Sequence, residues 1–113
     1  MKLLILSCLF IFATINLSAD ALNLYKNCAG CHGENGEESA LQKSKLIGGQ
    51  ESNLTVKELT AYKNGELNQY GLGNIMKLQL TSISEDDIQE LADYIEQLDI
   101  NSSNQKSDEI IEN

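Results

Sequence analysis

The clearest periodicity in this chain lies near its end. Ile88, Leu91, Ala92, Ile95 and Leu98 recur at three- and four-residue spacing, with Tyr94 beside them, and predict one apolar stripe on an amphipathic helix. The start of that helix is marked as well as its face. Ser84-Glu85-Asp86-Asp87 offers an N-cap hydroxyl with a carboxylate three residues on, and the acids fall where the helix dipole favours negative charge. Ile83 before the cap and Ile88 after it predict a hydrophobic staple. A second helix is predicted over about 53–64, with Leu54, Val56, Leu59 and Tyr62 as its apolar side, a cap at Ser52, Asn53 or Thr55, and Gly65 as its stop. A first helix is predicted from about Ala21 to Ala29, because Leu22, Tyr25 and Cys28-Ala29 share a face and Gly30 follows. The stripe of the last helix needs a partner, and the first helix is the natural one.

The remaining stretches carry no helical period. Gly33-Glu34-Asn35-Gly36 reads as a turn, residues 37–46 are irregular, and Leu46-Ile47-Gly48-Gly49 is a short apolar step ending in two glycines. In residues 66–82, Met76, Leu78, Leu80 and Ile83 alternate with mostly polar neighbours, which predicts an extended apolar lining. It has no second strand to pair with. There is no internal repeat.

The two ends of the 113-residue chain differ from its middle. Met1-Lys2 precedes an apolar run from Leu3 to Phe12 that weakens toward Leu17, and Ala19-Asp20-Ala21 follows. A positive start, an apolar stretch and an A-x-A site predict a secretory signal over residues 1–21, cut after Ala21 or, as the alternative, after Ala19. The run is short of the roughly 20 apolar residues a spanning helix needs, so no stable membrane insertion is expected once it is removed. Cys8 is expected to leave with it. Residues 22–100 then form one domain, and the polar, acidic residues 101–113 form a disordered tail.

Charge narrows the function classes. The chain carries a net charge of −9 and contains no Arg, so nucleic acid is not an expected partner and a bidentate Arg clamp on phosphate is excluded. Loss of Lys2 and Asp20 with the signal leaves that balance unchanged. A small acidic protein is steered instead toward a basic docking surface.

The chemistry sits in Cys28-Ala29-Gly30-Cys31-His32. C-x-x-C-H is the spacing of c-type haem attachment: each thiol can add across one vinyl group, and the adjacent imidazole can then reach the iron as proximal ligand. His32 is the only histidine in the chain. Once the signal is removed, Met76 is the only methionine left. A buried methionine in an arbitrary sequence is a gap filler. Downstream of a haem motif it becomes the candidate sixth ligand, whose thioether raises the potential and closes the iron for electron transfer.

These marks, together with Tyr62-Lys63-Asn64-Gly65 and the run from Ser84 to Ile95, resemble a small bacterial class I cytochrome c over about residues 20–98. The resemblance implies an all-α fold in which the N- and C-terminal helices cross, with one covalent haem c in a crevice and a distal loop carrying the methionine. It implies Cys28 and Cys31 as attachment points, and His32 and Met76 as axial ligands. It further implies a monomeric, periplasmic one-electron carrier that breaks no substrate bond and serves a cytochrome bc complex, a terminal oxidase or a periplasmic dehydrogenase. The chain departs from the family in having no proline. The backbone carbonyl that would accept the second N–H of His32 is therefore expected from the segment Lys45–Gly48. Lys43, Lys45 and Lys77 are expected near the haem edge as docking charges.

Rival readings carry less. Structural zinc needs four ligands, a thioredoxin-like dithiol expects a βαβ setting, and neither is present in the sequence. A haem subunit of a larger oxidoreductase, or a haem-based ligand sensor, keeps the cofactor and changes the task. A domain this small buries limited apolar surface, and without proline its unfolded chain is freer. A Cys28→Ala, Cys31→Ala variant is therefore expected not to fold stably; a cooperative thermal melt near the wild-type temperature would refute this.

Overall fold

The structure is a computed structural model that describes residues 19–102. Most of the predicted signal and nearly all of the predicted tail lie outside the described residues. Four helices follow in order: α1 (Ala19–His32), α2 (Ser52–Lys63), α3 (Gly73–Gln79) and α4 (Glu85–Glu96), with a 3-10 turn at Ala40–Gln42 between the first two. Among the described residues there is no strand, so the fold is all-α.

α4 follows its sequence closely. Ser84 Oγ accepts from the Asp87 N–H and the Asp87 carboxylate accepts from the Ser84 N–H, which makes a reciprocal capping box. Ile88, Leu91, Ala92 and Ile95 of the stripe are all buried. The stripe meets α1, as expected, but packs more extensively on α2. Tyr25 of α1 forms the heart of the core with Leu91 and Ile95.

Three elements differ from the sequence reading. α1 extends past Gly30 to His32, so the whole C-x-x-C-H motif is helical and Gly33, in the left-handed conformation at φ 82°, marks the end. Gly30 lies inside the helix, where an added Cβ would meet nothing within 4 Å. On the same helix, Leu22 is 48% exposed while Ala21 and Tyr25 are buried, since the packed line runs one residue to the side of the predicted one. α2 begins at Ser52 with Glu51 at its cap position and no side-chain cap bond. Its C-terminus is as predicted: Gly65 is left-handed, and the Gly65 and Glu66 N–H groups bond to Tyr62 and Ala61 in a Schellman arrangement.

The third difference matters most. Residues 73–79, read as extended, form α3. The helical period is invisible because α3 buries no apolar stripe of its own; Ile75 and Leu78 are exposed. Its shape comes from attachments at both ends, and Met76 lies within it.

The long connection after α1 is drawn against the body by close backbone approach. The N–H groups of Ile47 and Gly48 both donate to the Gly36 carbonyl at 3.1 Å, and the Gly49 N–H donates to the Ile95 carbonyl at 2.9 Å. A Cβ on Gly48 would run into the Asn35 carbonyl oxygen, which is why the apolar step there ends in glycine. Replacing the α4 cap, Ser84→Ala, should cost about 1 kcal/mol. For a domain of this size that is a fall of roughly 4–8 °C in the thermal midpoint, readable by circular dichroism.

Candidate cofactor site

The last turn of α1 places its motif at the wall of a crevice of about 380 Å³. Cys28, Cys31 and His32 line it from α1, Leu59 and Tyr62 from α2, and Met76 from α3. All four residues singled out from the sequence thus open on one space, although Met76 is far from the motif along the chain. The volume falls within the range of about 300–1,000 Å³ usual for cofactor pockets.

The electrostatics of the motif follow from where each side chain sits. His32 is buried, and burial alone holds its imidazole below the ordinary histidine range, which favours the neutral, metal-binding form. Its Nδ1 is buried without a hydrogen-bond partner. The expected acceptor from the segment Lys45–Gly48 is therefore not in place. Two carbonyls of that segment are engaged within their own loop, Lys45 O by the Ser44 hydroxyl and Ile47 O by the Gln50 N–H. Cys28 is half-buried, and burial, then the neighbouring Cys31, push its thiol up; Cys31 is exposed, and both thiols are free.

Tyr25 is the residue that sequence reading placed on a face and did not give a task. Its phenol donates to the Gly33 carbonyl at 2.7 Å, tying the end of the motif back to the core. Burial, with Cys28 and Glu37 nearby, pushes this phenol far above its usual range, so it stays a donor. Its ring lies 5.3 Å from that of Tyr94 on α4, tilted by 46°.

One side of the crevice is polar. Lys45 and Glu58 form an ion pair at 2.6 Å, Gln50 Nε2 donates to Thr55 Oγ1 at 2.9 Å, and the same amide reaches Glu58 Oε2 at 3.4 Å. Lys45 is thus engaged in the crevice wall, while Lys43 and Lys77 are exposed. Nothing in the spacing of these four residues announced the cluster, because it joins the connection after α1 to α2 only once both are folded. Among the described residues no three His, Cys, Asp or Glu side chains come together to hold a bare metal ion.

Comparison with known proteins decides the family. The family model described as cytochrome c matches residues 18–99. This chain belongs to the cytochrome c family. It is 34% identical over 84 residues to cytochrome c-553 of Helicobacter pylori, covering 74% of this chain and 83% of that protein. It is 30% identical over 86 residues to cytochrome c-553 of Nitratidesulfovibrio vulgaris, covering 73% and 79%. Cytochrome c4 of Stutzerimonas stutzeri is 35% identical over 71 residues, of which this chain spans 34%. The protein is accordingly a small class I cytochrome c with one covalently bound haem c, and a haem-based electron carrier.

The residues present fit that cofactor. Two free thiols stand beside a buried neutral imidazole, a thioether opens on the same crevice, and the walls between them are largely apolar. His32 Nδ1 is buried and makes no hydrogen bond, so no protein group competes for that atom. Removing the clamp, Tyr25→Phe, should cost about 1 kcal/mol, because the Gly33 carbonyl loses one donor but keeps the Gly36 N–H at 3.3 Å. A lower denaturant midpoint with unchanged slope is the expected result.

Proposed function

We propose that this cytochrome is an exported, periplasmic one-electron carrier in which Cys28 and Cys31 bind the haem covalently and His32 and Met76 ligate its iron. The observation that carries this reading is the convergence of those four side chains on one crevice. When bound, haem c supplies a reversible one-electron couple between Fe(III) and Fe(II). The protein's own part is to bind, orient and exclude water. Burial keeps His32 neutral, so its lone pair is free to donate, and no proton has to leave before it binds metal. Met76 offers a soft thioether, which favours the reduced state and raises the potential. Tyr62, Leu91 and Ile95 close the inner wall against solvent.

The surface supports docking of a redox partner. Leu41, Ile75 and Leu78 are exposed apolar side chains around the crevice, with Lys43 and Lys77 next to them on an otherwise acidic body. A cytochrome bc complex, a terminal oxidase or a periplasmic dehydrogenase is the class of partner proposed. Export rests on the N-terminal pattern, with the cut after Ala21 or, as the alternative, after Ala19. No described helix is long and apolar enough to cross a membrane. The chain has one histidine, already in the motif, and no arginine, so it offers no distal His or Arg for peroxide or oxygen chemistry. This supports a carrier over an enzyme.

The optical spectrum of the oxidised protein tests the ligand set. A weak far-red band is expected for the wild type, and Met76→Ala should lose it, show a lower reduction potential and bind carbon monoxide when reduced. A wild type that lacks the band and binds carbon monoxide would support the ligand-sensing alternative instead.

A further inference from the structure

α3 raises a physical question that the ligand assignment leaves open, namely what holds it in place. It has seven residues, and isolated helices shorter than about 12–15 residues are marginal in water. Burial does little for it. Of its residues only Gly73 is buried, while Ile75 is 47% and Leu78 72% exposed. Its N-cap residue, Leu72, makes no side-chain cap bond.

Three contacts hold it, one within the connection that precedes it and two at the end of α2. In front, the Asn68 side chain accepts from the Gly73 N–H at 2.8 Å, so a side chain five residues upstream supplies the missing cap. The fit there is close: a Cβ on Gly73 would run into the Leu67 carbonyl oxygen and stand 2.9 Å from Asn68 Oδ1. Behind, Lys63 in the last turn of α2 donates to the Ile83 carbonyl, in the connection between α3 and α4. Midway, the side chain of Lys77, the neighbour of Met76, lies over Gly65, the left-handed residue that ends α2. Leu80, 3% exposed, is the one apolar anchor immediately after the helix.

We infer that Asn68 and Lys63 are positioning residues for Met76. They clamp α3 at its two ends, so that the thioether stays at the sixth position of the iron rather than exchanging with external ligands. The inference rests on the proposed ligation by Met76 and names what enforces it. Neither residue lines the crevice. Loss of either bond lets α3 fray, lowers the fraction of time Met76 is bound, and opens the iron to a small competing base.

The test uses oxidised haem-loaded protein and imidazole as the competing ligand, followed by visible absorption. Wild type should show the far-red band and bind imidazole weakly. Asn68→Ala and Lys63→Met should each bind imidazole about tenfold more tightly, a change of about 1.4 kcal/mol and the scale of one net hydrogen bond. Both should weaken the band and lower the reduction potential. Asn68→Asp, whose carboxylate accepts the same N–H, and Lys63→Arg, which still donates, should stay within about threefold of wild type. Ser52→Ala, which removes the hydrogen bond from the start of α2 to Asp93 on α4 and touches neither clamp, should leave imidazole affinity unchanged and so separates positioning from general loss of stability. A wild-type band with unchanged imidazole affinity in either Asn68→Ala or Lys63→Met overturns this inference alone. A wild type without the band overturns ligation by Met76 and this inference with it.

Discussion

Everything in this protein depends on the end of α1 being held still against α4. Tyr25 does this in three ways at once. It is 2% exposed and packs with Leu91 and Ile95, its ring meets Tyr94, and its phenol holds the Gly33 carbonyl just past the motif. The cysteines and His32 sit in the turn between Tyr25 and Gly33, so fixing those two points fixes the direction in which the motif faces. Were that turn to fray, as helix ends do, the imidazole would lose its burial and with it the neutral state that suits a metal ligand.

The core that does this work is small. Leu91, Ala92 and Ile95 from α4 and Tyr25 from α1 are fully enclosed, while much of the remaining apolar surface lines the crevice. A domain of this length buries a limited share of its surface, so a haem c bound in the crevice would cover apolar side chains that the polypeptide alone leaves open. The polar side of the crevice adds specificity more than stability. The Lys45–Glu58 pair is partly exposed, and pairs of that kind contribute about 0–1 kcal/mol. What it achieves is to pin the loop that carries Ile47 against α2.

Backbone contacts complete the frame where side chains are too bulky. Gly36 and Gly48 let two loops touch, with both the Ile47 and Gly48 N–H groups on one carbonyl. In a chain without proline these loops have no built-in stiffness. Their rigidity comes from hydrogen bonds within the connection and from the Gly49 N–H to the Ile95 carbonyl on α4.

Read by itself, the chain determined α4, the end of α2 and the motif, because each is written in local terms: a 3.6-residue stripe with a capping box, a left-handed glycine, and a fixed spacing of cysteine and histidine. It also singled out Met76, by being the only methionine outside the predicted signal. Only the tertiary structure decided that Met76 lies on a helix. α3 has no apolar period to betray it and is held by Asn68 in front and by Lys63 and Lys77 at the end of α2. The same holds for the pairing of Lys45, which the sequence offered as a docking charge near the haem edge and the fold engages with Glu58. Local patterns are legible because neighbours along the chain make them. Attachments between residues 5 to 20 positions apart, such as Asn68 to Gly73 and Lys63 to Ile83, exist only once the helices have met.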